Sequence, residues 1–598
     1  WPADKLNIAP SPAKFFNPPP ETLAVVEQLR DQHRFFHWEI EFPDVFDQPG
    51  AGFDSILGNP PWEIQKPNSK EWFSNIDPLY RTYGKQEAIA KQREYFGLDA
   101  RIERDWLAYN ARLKALSNWT KNAGQPFGNE VDPDEGIRFT FSRRPTENEE
   151  LHALWLKVRG QRSGYADASH PFLHQGSADI NTYKLFLEQA HALLRVGGLL
   201  GCIVPSGLYT DRGSTDLRRL FLDRCQWRWL FSFENRDGIF PDIDGRFKFG
   251  PVIVQKGGQT QAIRATFMRR DLADWEQAEQ HVLLYPRERV EQFSPKSRAI
   301  LEIRSARDLE VLQRMYANGV LLGDDGPDGW GIRYAREFDM TNDSKLFPPR
   351  PNWEEQGYVP DEYGHWLKGK WREIAAFGLQ ASAFEPWTDT HQRSRSVLTR
   401  PPGLILSRDG LRAIRIEDIE DVALPLYEGR MIGQFDFSQK GWVSGKGRSA
   451  VWREIPWTEK VIEPQFMIGL KDQDADYLRK HLDQFKERHG KKAAEAEEHR
   501  LQDGDAWLEW RIGLWGKLGF MDVSSATNTR TFICTFLEDE PCGNKVPILR
   551  TRAAAALATV GDSFASDFQF RSRLGGLTLN FFIVEEAVLP SRSVHLDI

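Results

Sequence analysis

Cysteine is scarce in this chain: four residues, Cys202, Cys225, Cys534 and Cys542, with no Cys-x-x-Cys pair among them. That pattern fits neither a zinc site nor a disulfide framework, and it leaves reduced core thiols as the reading. No metal site is expected. Long apolar runs are missing as well. Nothing is long enough to span a bilayer and no signal peptide precedes the first charged residues, so the sequence reads as soluble and cytoplasmic, with no membrane partner. An excess of positive charge is also lacking, since the formal net charge is −8. This counts against a nucleic-acid partner for the molecule as a whole, although a total can hide a basic cleft. An initiating methionine is absent, because the chain opens at Trp1, which suggests a fragment whose upstream part is missing. Length is not lacking. At 598 residues and 68.9 kDa there is material for more than one domain, and tryptophan is plentiful at 21 residues, mostly for cores but with some left for stacking surfaces.

The most informative stretch is Phe53-Asp54-Ser55-Ile56-Leu57-Gly58-Asn59-Pro60-Pro61-Trp62. Its apolar start reads as a buried strand of a parallel sheet approaching the rim. Two successive prolines cannot donate ladder hydrogen bonds, so the strand ends there, and Pro60 restricts Asn59 to extended geometry. In open α/β sheets ligands bind beyond the carboxyl ends of strands. The tip therefore presents an amide, a backbone carbonyl and an indole where a ligand sits. The Asn59 side-chain oxygen and the Pro60 carbonyl can both accept hydrogen bonds from an amino group on a flat ring. Such an amine is a poor nucleophile because its lone pair is delocalised. Two fixed acceptors favour its turning tetrahedral as it attacks. Trp62 adds a π face for a base taken out of a duplex. The plainer alternative is an ordinary strand-to-loop turn with a half-buried tryptophan.

Around this stretch the chain reads in order. A helix is expected near Glu21–Arg30, then a strand from Phe35 to Phe46 turning at Pro43-Asp44. Residues from about 72 to 152 are polar and helical, as an insertion. A helix from Asp179 to about Leu194 is followed by a Gly197-Gly198 stop, a strand Leu199–Val204 and Pro205-Ser206. That is one αβ unit of a parallel sheet. A second unit follows: a helix at about Thr215–Cys225, a strand Trp227–Phe233, and a further strand Pro251–Gln255 preceded by Arg246-Phe247-Lys248-Phe249. Beyond about residue 260 the texture changes, with cations spaced among aromatics and glycines. Examples are Trp366–Arg372, Gln392–Arg395, Arg408–Arg415 and Gln439–Arg448. Arg393, Arg395, Lys446 and Arg448 are the candidates there for contacts to the DNA backbone. Each could equally be a surface-loop cation. Lys480–Glu498 is a mixed-charge run expected as an exposed helix, and Pro360-Asp361 lacks the partners of a nuclease core.

The order Phe-Asp…Gly-Asn-Pro-Pro-Trp, then Asn181-x-Tyr183-x-x-Phe186, Gly197-Gly-x-x-Gly-x-Ile-x-Pro-Ser-Gly207 and Ile239-Phe240…Phe247-Lys-Phe249 resembles the large Eco57I-type adenine methyltransferases. These belong to restriction–modification and related phage-defence systems, including BREX and DISARM. Trp330–Phe347, Leu424–Met431, Thr527–Thr531 and Gly575–Phe582 extend the resemblance over nearly the whole chain. It implies a Rossmann-like class I methyltransferase domain over 1–260, its N-terminal part apparently missing, and a mixed α+β target-recognition domain over 261–598. It implies transfer of a methyl group from S-adenosyl-L-methionine to N6 of a flipped adenine in double-stranded DNA, with other subunits of a defence complex as further partners. On that pattern Asn59, Pro60, Pro61 and Trp62 are catalytic, and Trp62 with Phe247 or Phe249 walls the extruded base. Asp44, with Phe46 beside it, would meet the cofactor together with Asn59.

One departure stands out. The family's Gly-rich loop, which cradles the methionine part of the cofactor, has no counterpart upstream of Asn59. The cofactor pocket is expected to be half present, completed by missing residues or by another chain. The alternative is a DNA-binding specificity subunit with a methyltransferase-like fold and weak or conditional activity. Methylation of a protein glutamine or of RNA would use the same tip chemistry.

Overall fold

The computed structural model describes residues 20–122, 172–379 and 401–591, apart from positions 35, 48, 173, 177, 178, 242 and 515. It separates into two compact units, Trp1–Ala306 and Arg307–Ile598. Among the described residues no helix is long and apolar enough to cross a membrane.

The first unit is mixed α/β, built on one six-stranded sheet. After helix α1 (Pro20–His33) come strand β1 (Phe53–Gly58) and helices α2 (Ser69–Ser74), α3 (Lys85–Leu98) and α4 (Ala100–Asn122). Then follow α5 (Thr182–Leu193), β2 (Leu194–Pro205), α6 (Thr215–Asp223), β3 (Cys225–Glu234), β4 (Lys248–Lys256), β5 (Ala262–Arg269) and β6 (Leu283–Pro286). The strand order is β1-β2-β4-β3-β5-β6. β1 is parallel to β2, β4 is antiparallel to both β2 and β3, and β5 is parallel to β3. So β1, β2, β3 and β5 point the same way, and the expected all-parallel reading is corrected by β4 and by β6, which pairs antiparallel with β5. The domain boundary expected at residue 260 is corrected too. β5 and β6 complete the sheet, and the alternate residues Ile263, Ala265 and Phe267 of β5 are buried.

Three local expectations also change. Residues 36–46 do not form a strand; Trp38–Glu41 and Pro43–Phe46 are single helical turns. Pro43 stands at a helix start, where its missing N–H costs nothing. The aromatic rings of Trp38, Phe42 and Phe46 gather on Phe53, at centroid distances of 5.9, 5.4 and 5.3 Å. Gly197-Gly198 does not separate helix from strand but lies inside β2, where the pairing with β1 jumps from Phe53↔Leu194 to Ser55↔Leu199. Gly197 takes φ +85° there, and a side chain at Gly198 would strike the Phe53 carbonyl. The pair is a bulge, and α5 gives way directly to the strand. The insertion is helical as read, but α2–α4 also enclose an aromatic cluster in which Phe73 and Tyr80 are fully buried beside Trp72, Tyr95 and Trp106. Residues 123–171 lie outside the described residues.

The second unit consists of several small sheets with helices. One joins Met467–Gly469, Ile419–Pro425, Trp366–Gly369 and Val359–Pro360; another joins Cys534–Leu537, Lys517–Phe520, Ile548–Arg550 and Arg333–Ala335. Its centre carries a buried ion network. Lys517, wholly buried, lies 2.8 Å from Glu337, which also meets Arg550 and accepts from the Cys542 N–H at 2.9 Å. Its two ends are knitted together. Val320–Leu321 pairs with Val588–Leu589, the Tyr316 hydroxyl donates to the Glu586 carbonyl at 2.8 Å, and the Trp330 indole donates to the Pro590 carbonyl at 3.1 Å. The mixed-charge run forms two helices, Leu470–His489 and Lys491–Arg500, because Gly490 breaks it at φ +85°. Asp361 is a turn organiser. Its carboxylate accepts from the N–H groups of Tyr363 and His365 at 2.9 and 2.8 Å.

Candidate active site

Because β1, β2 and β3 run the same way and β4 returns, one rim of the first unit's sheet collects several chain segments. They are Asn59–Trp62 after β1, Pro205-Ser206 at the end of β2, Phe233-Glu234 at the end of β3 and Lys248-Phe249 at the start of β4. The ladder fixes this juxtaposition: Pro205 faces Phe249, Phe233 faces Phe249 and Glu234 faces Lys248. Asn59 is exposed at the tip, whereas Pro60 behind it is buried. Pro60 thus anchors the turn and leaves the amide outside. The chain after the tip is pinned. The Gln65 and Thr182 N–H groups donate to the Ile180 and Glu63 carbonyls at 2.7 and 2.9 Å. This joins the tip to the Asn181-x-Tyr183 segment that opens α5.

Trp62 is half-buried, and its ring packs 6.4 Å from that of Phe249 at 33°. Phe249 in turn stacks on Phe233 at 5.7 Å and meets Phe240 edge-on at 4.8 Å. The Trp62 indole N–H is buried without an acceptor among the described residues. The two aromatics named for the base wall part company here. Phe249 is 3% exposed and belongs to the packed cluster, while Phe247 is 52% exposed.

Behind this aromatic wall lies a polar network that sequence reasoning missed. Lys248, 8% exposed, pairs with the buried Glu302. The other Glu302 oxygen accepts from the Tyr209 hydroxyl at 3.1 Å, and that hydroxyl lies 2.7 Å from Ser232 Oγ. Burial, reinforced by Glu302, holds the Tyr209 phenol well above its ordinary pKa, so it stays a proton donor in the network. The buried Glu234 at the end of β3 meets Arg270 at 2.7 Å and Arg236 at 3.3 Å. Lys248 stands in a quoted motif, yet its partner comes from beyond residue 260, so no local pattern could announce the pair.

Asp44 and Phe46 are not brought to this rim. They lie on the single turn Pro43–Phe46, where the Val45 carbonyl accepts from Gly52 and Phe46 packs on Phe53. That is the opposite end of β1 from Asn59, about 20 Å away along a six-residue strand. Asp44, expected at a strand end just before the strand that carries Asn59, instead stands on a helical turn.

Of the cations named for DNA contact, Arg393 and Arg395 lie outside the described residues. Lys446 is exposed in the turn between Lys440–Ser444 and Val451–Glu454, and Arg448 lies on the short helical turn Gly447–Ser449 that follows it. Arg408 is spoken for in part, donating to the Ile462 carbonyl at 2.9 Å. Trp366–Gly369 is a sheet strand rather than a loop.

Several solved structures are similar. The type IIG restriction endonuclease BpuSI is 12% identical over 76% of this chain and 46% of its own, with a TM-score of 0.23. The type IIL restriction-modification enzyme MmeI, solved in complex with DNA, is 10% identical over 68% and 41%, at 0.29. A modification subunit of a putative type I restriction enzyme from Vibrio vulnificus YJ016 is 12% identical over 19% and 28%, at 0.17. This chain spans less than half the length of each, and at these TM-scores they add nothing to the fold described above. No curated protein matches. Residues 161–240, which hold α5, β2, α6 and β3, match the family model of the Eco57I restriction-modification methylase.

Proposed function

We propose that the first unit is the target-amine side of a DNA methyltransferase of restriction–modification type, acting on N6 of an adenine extruded from double-stranded DNA. The observation that carries this is Asn59 held exposed on a proline-stiffened tip at the rim where β1, β2 and β3 end. The family match over the neighbouring residues 161–240 supports it. The Asn59 side-chain oxygen and the Pro60 carbonyl accept hydrogen bonds from the amine and favour its tetrahedral, attacking form. The amine's proton can leave after attack, so no strong base is needed at the tip. Trp62 and Phe247 are the ring faces at hand for the extruded base. The tip fits the amine, but the described residues do not fit the methyl donor. Asp44 and Phe46 lie at the wrong end of β1, and no Gly-rich turn stands by the rim.

The second reading is that this chain works within a larger assembly and that another segment supplies the cofactor half, as in a specificity or modification complex. It is favoured by β1 being the outer strand of the sheet, with Leu57 90% exposed. Calorimetry with S-adenosyl-L-methionine separates the two. Micromolar binding by the chain alone, with N6-methyladenine appearing in adenine-containing duplex and not in an adenine-free control, supports the first. No cofactor binding by a folded chain that still binds duplex supports the second.

A further inference from the structure

The second unit contains a cleft of about 720 Å³ that none of the chemistry above uses. Three exposed aromatic side chains line it, Tyr363, Phe437 and Phe536, each more than a third exposed. Four carboxylates line it too: Glu362, Glu459, Glu538 and Glu540. Against them stand Arg408, Lys460 and His365. Lys460 is already saturated, donating to Asp436 at 2.7 Å and to the Ser438 and Ile455 carbonyls at 2.9 Å each. His365 lies 3.2 Å from Asp361. Glu459 lies 3.8 Å from Arg453, so the negative charge left over on the wall sits at Glu538 and Glu540.

Charge alone makes no site, but two buried polar atoms here are left without partners. The Tyr427 side chain is completely buried, and its hydroxyl has no hydrogen-bond partner among the described residues. The Glu540 Oε2 atom is buried in the same state. Both residues line the cleft, and their backbones run side by side: the Tyr427 N–H donates to the Pro541 carbonyl at 2.8 Å, and the Gly543 N–H donates to the Tyr427 carbonyl at 2.9 Å. A buried hydroxyl and a buried carboxylate oxygen left unmatched each cost stability. Both can accept from the N–H groups of one cationic head, while the neighbouring rings offer π faces to its charge and apolar contact to its chain.

We propose that this cleft binds a small organic cation of the alkylammonium class, with its head at Tyr427 and Glu540 and its carbon chain along Tyr363 and Phe437. The ligand's charge supplies a counter-ion to Glu538 and Glu540. Its methylenes remove exposed aromatic surface from water. A bare divalent ion would satisfy the first need and not the second.

The test is calorimetric titration of the full chain with spermidine, beside the same titration with magnesium ion. Saturable one-site binding of spermidine is expected, and magnesium at equal concentration should not displace it. Glu540→Gln should weaken spermidine roughly tenfold, as the loss of a charged hydrogen-bond partner. Tyr363→Ala, at a half-exposed ring where the fold is not at risk, should weaken it by roughly threefold. Tyr427→Phe should raise the melting temperature of the ligand-free protein, since an unmatched hydroxyl is removed, and should also weaken spermidine. Absence of saturable binding overturns the proposal. So does binding that Tyr363→Ala and Glu540→Gln leave unchanged, which would place the polyamine on the acidic surface at large, and so does full displacement by magnesium.

Discussion

Both units bury an ion pair between distant parts of the chain, and the surroundings of the two pairs differ. In the first unit Lys248 meets Glu302 one residue from Phe249, against the aromatic wall of the candidate active site. In the second, Glu337 meets Lys517 and Arg550 among strands that carry no residue of the candidate active site. Burial would raise the Glu337 carboxyl, yet Lys517 and Arg550 bring it below its ordinary range. The same kind of contact thus stiffens a reactive rim in one unit and closes a core in the other. Breaking either pair should destabilise, but only the first should change chemistry at constant fold.

The largest effect is expected from Lys517→Met, which leaves Glu337 beside a neutral side chain and should cost about 3–5 kcal/mol in chemical denaturation of the second unit. Lys248→Met should destabilise the first unit by a similar amount. It should also lower methyl transfer at temperatures where circular dichroism shows the chain still folded, which Lys517→Met should not. Equal loss of activity in the two variants would erase the distinction. Next comes Asn59→Ala, expected to lower turnover by about 10²–10³-fold, or ~3–4 kcal/mol, with no change in melting temperature because the side chain is exposed. Tritiated cofactor reports it, in whatever assembly supplies the cofactor half.

The two rim phenylalanines give a smaller contrast. Phe249→Ala removes a buried ring and should cost about 3–5 kcal/mol of stability. Phe247→Ala should leave stability within about 0.5 kcal/mol and weaken the hold on an extruded fluorescent adenine analogue by about 1–3 kcal/mol.

Glu428 of the second unit provides a carboxyl that burial raises to about 7, with only partial relief from Arg430. A carboxyl raised in the folded state binds its proton more tightly there than when unfolded. Its stabilising contribution is therefore present below pH 4.5 and is lost as pH rises towards about 7. Glu428→Gln should flatten the stability profile in that window, measured by denaturant midpoints. The smallest effect is expected from Lys446→Ala, which should reduce the salt slope of DNA affinity by about one unit if that turn touches a phosphate, and leave any cofactor affinity unchanged.

What was legible in the sequence divides along the same line as the ion pairs. The tip Asn59–Trp62, helix α5, strand β3 and the aromatic segment at Phe247–Phe249 were readable because their signals are local: proline stops, helical spacing, alternating strand residues. Gly197-Gly198 was misread because a glycine pair signals a break in either a helix or a ladder, and only the register against β1 decides. The strand expected at Phe35–Phe46 failed since its aromatics found a closer partner in Phe53 than any ladder. Lys248 with Glu302, and Glu337 with Lys517, were illegible because each joins residues whose nearness exists only in the folded unit. The basic texture after residue 260 was partly consumed by the fold itself, as Arg408 shows.

The knitting of the second unit's ends has a consequence for how it is made. Residues 316–330 find their partners at 586–590, so a nascent chain emerging from the ribosome carries Val320–Leu321 without its partner strand until Val588–Leu589 has been synthesised. Trp330 and Leu322, buried in the finished unit, stay uncovered throughout that interval. The first unit has no such debt, since Glu302 closes its network before the second begins. Translation that stalls between the two units' completion, before residue 588, should therefore release a chain with a finished sheet and an open, sticky second half, the form a holdase chaperone takes up.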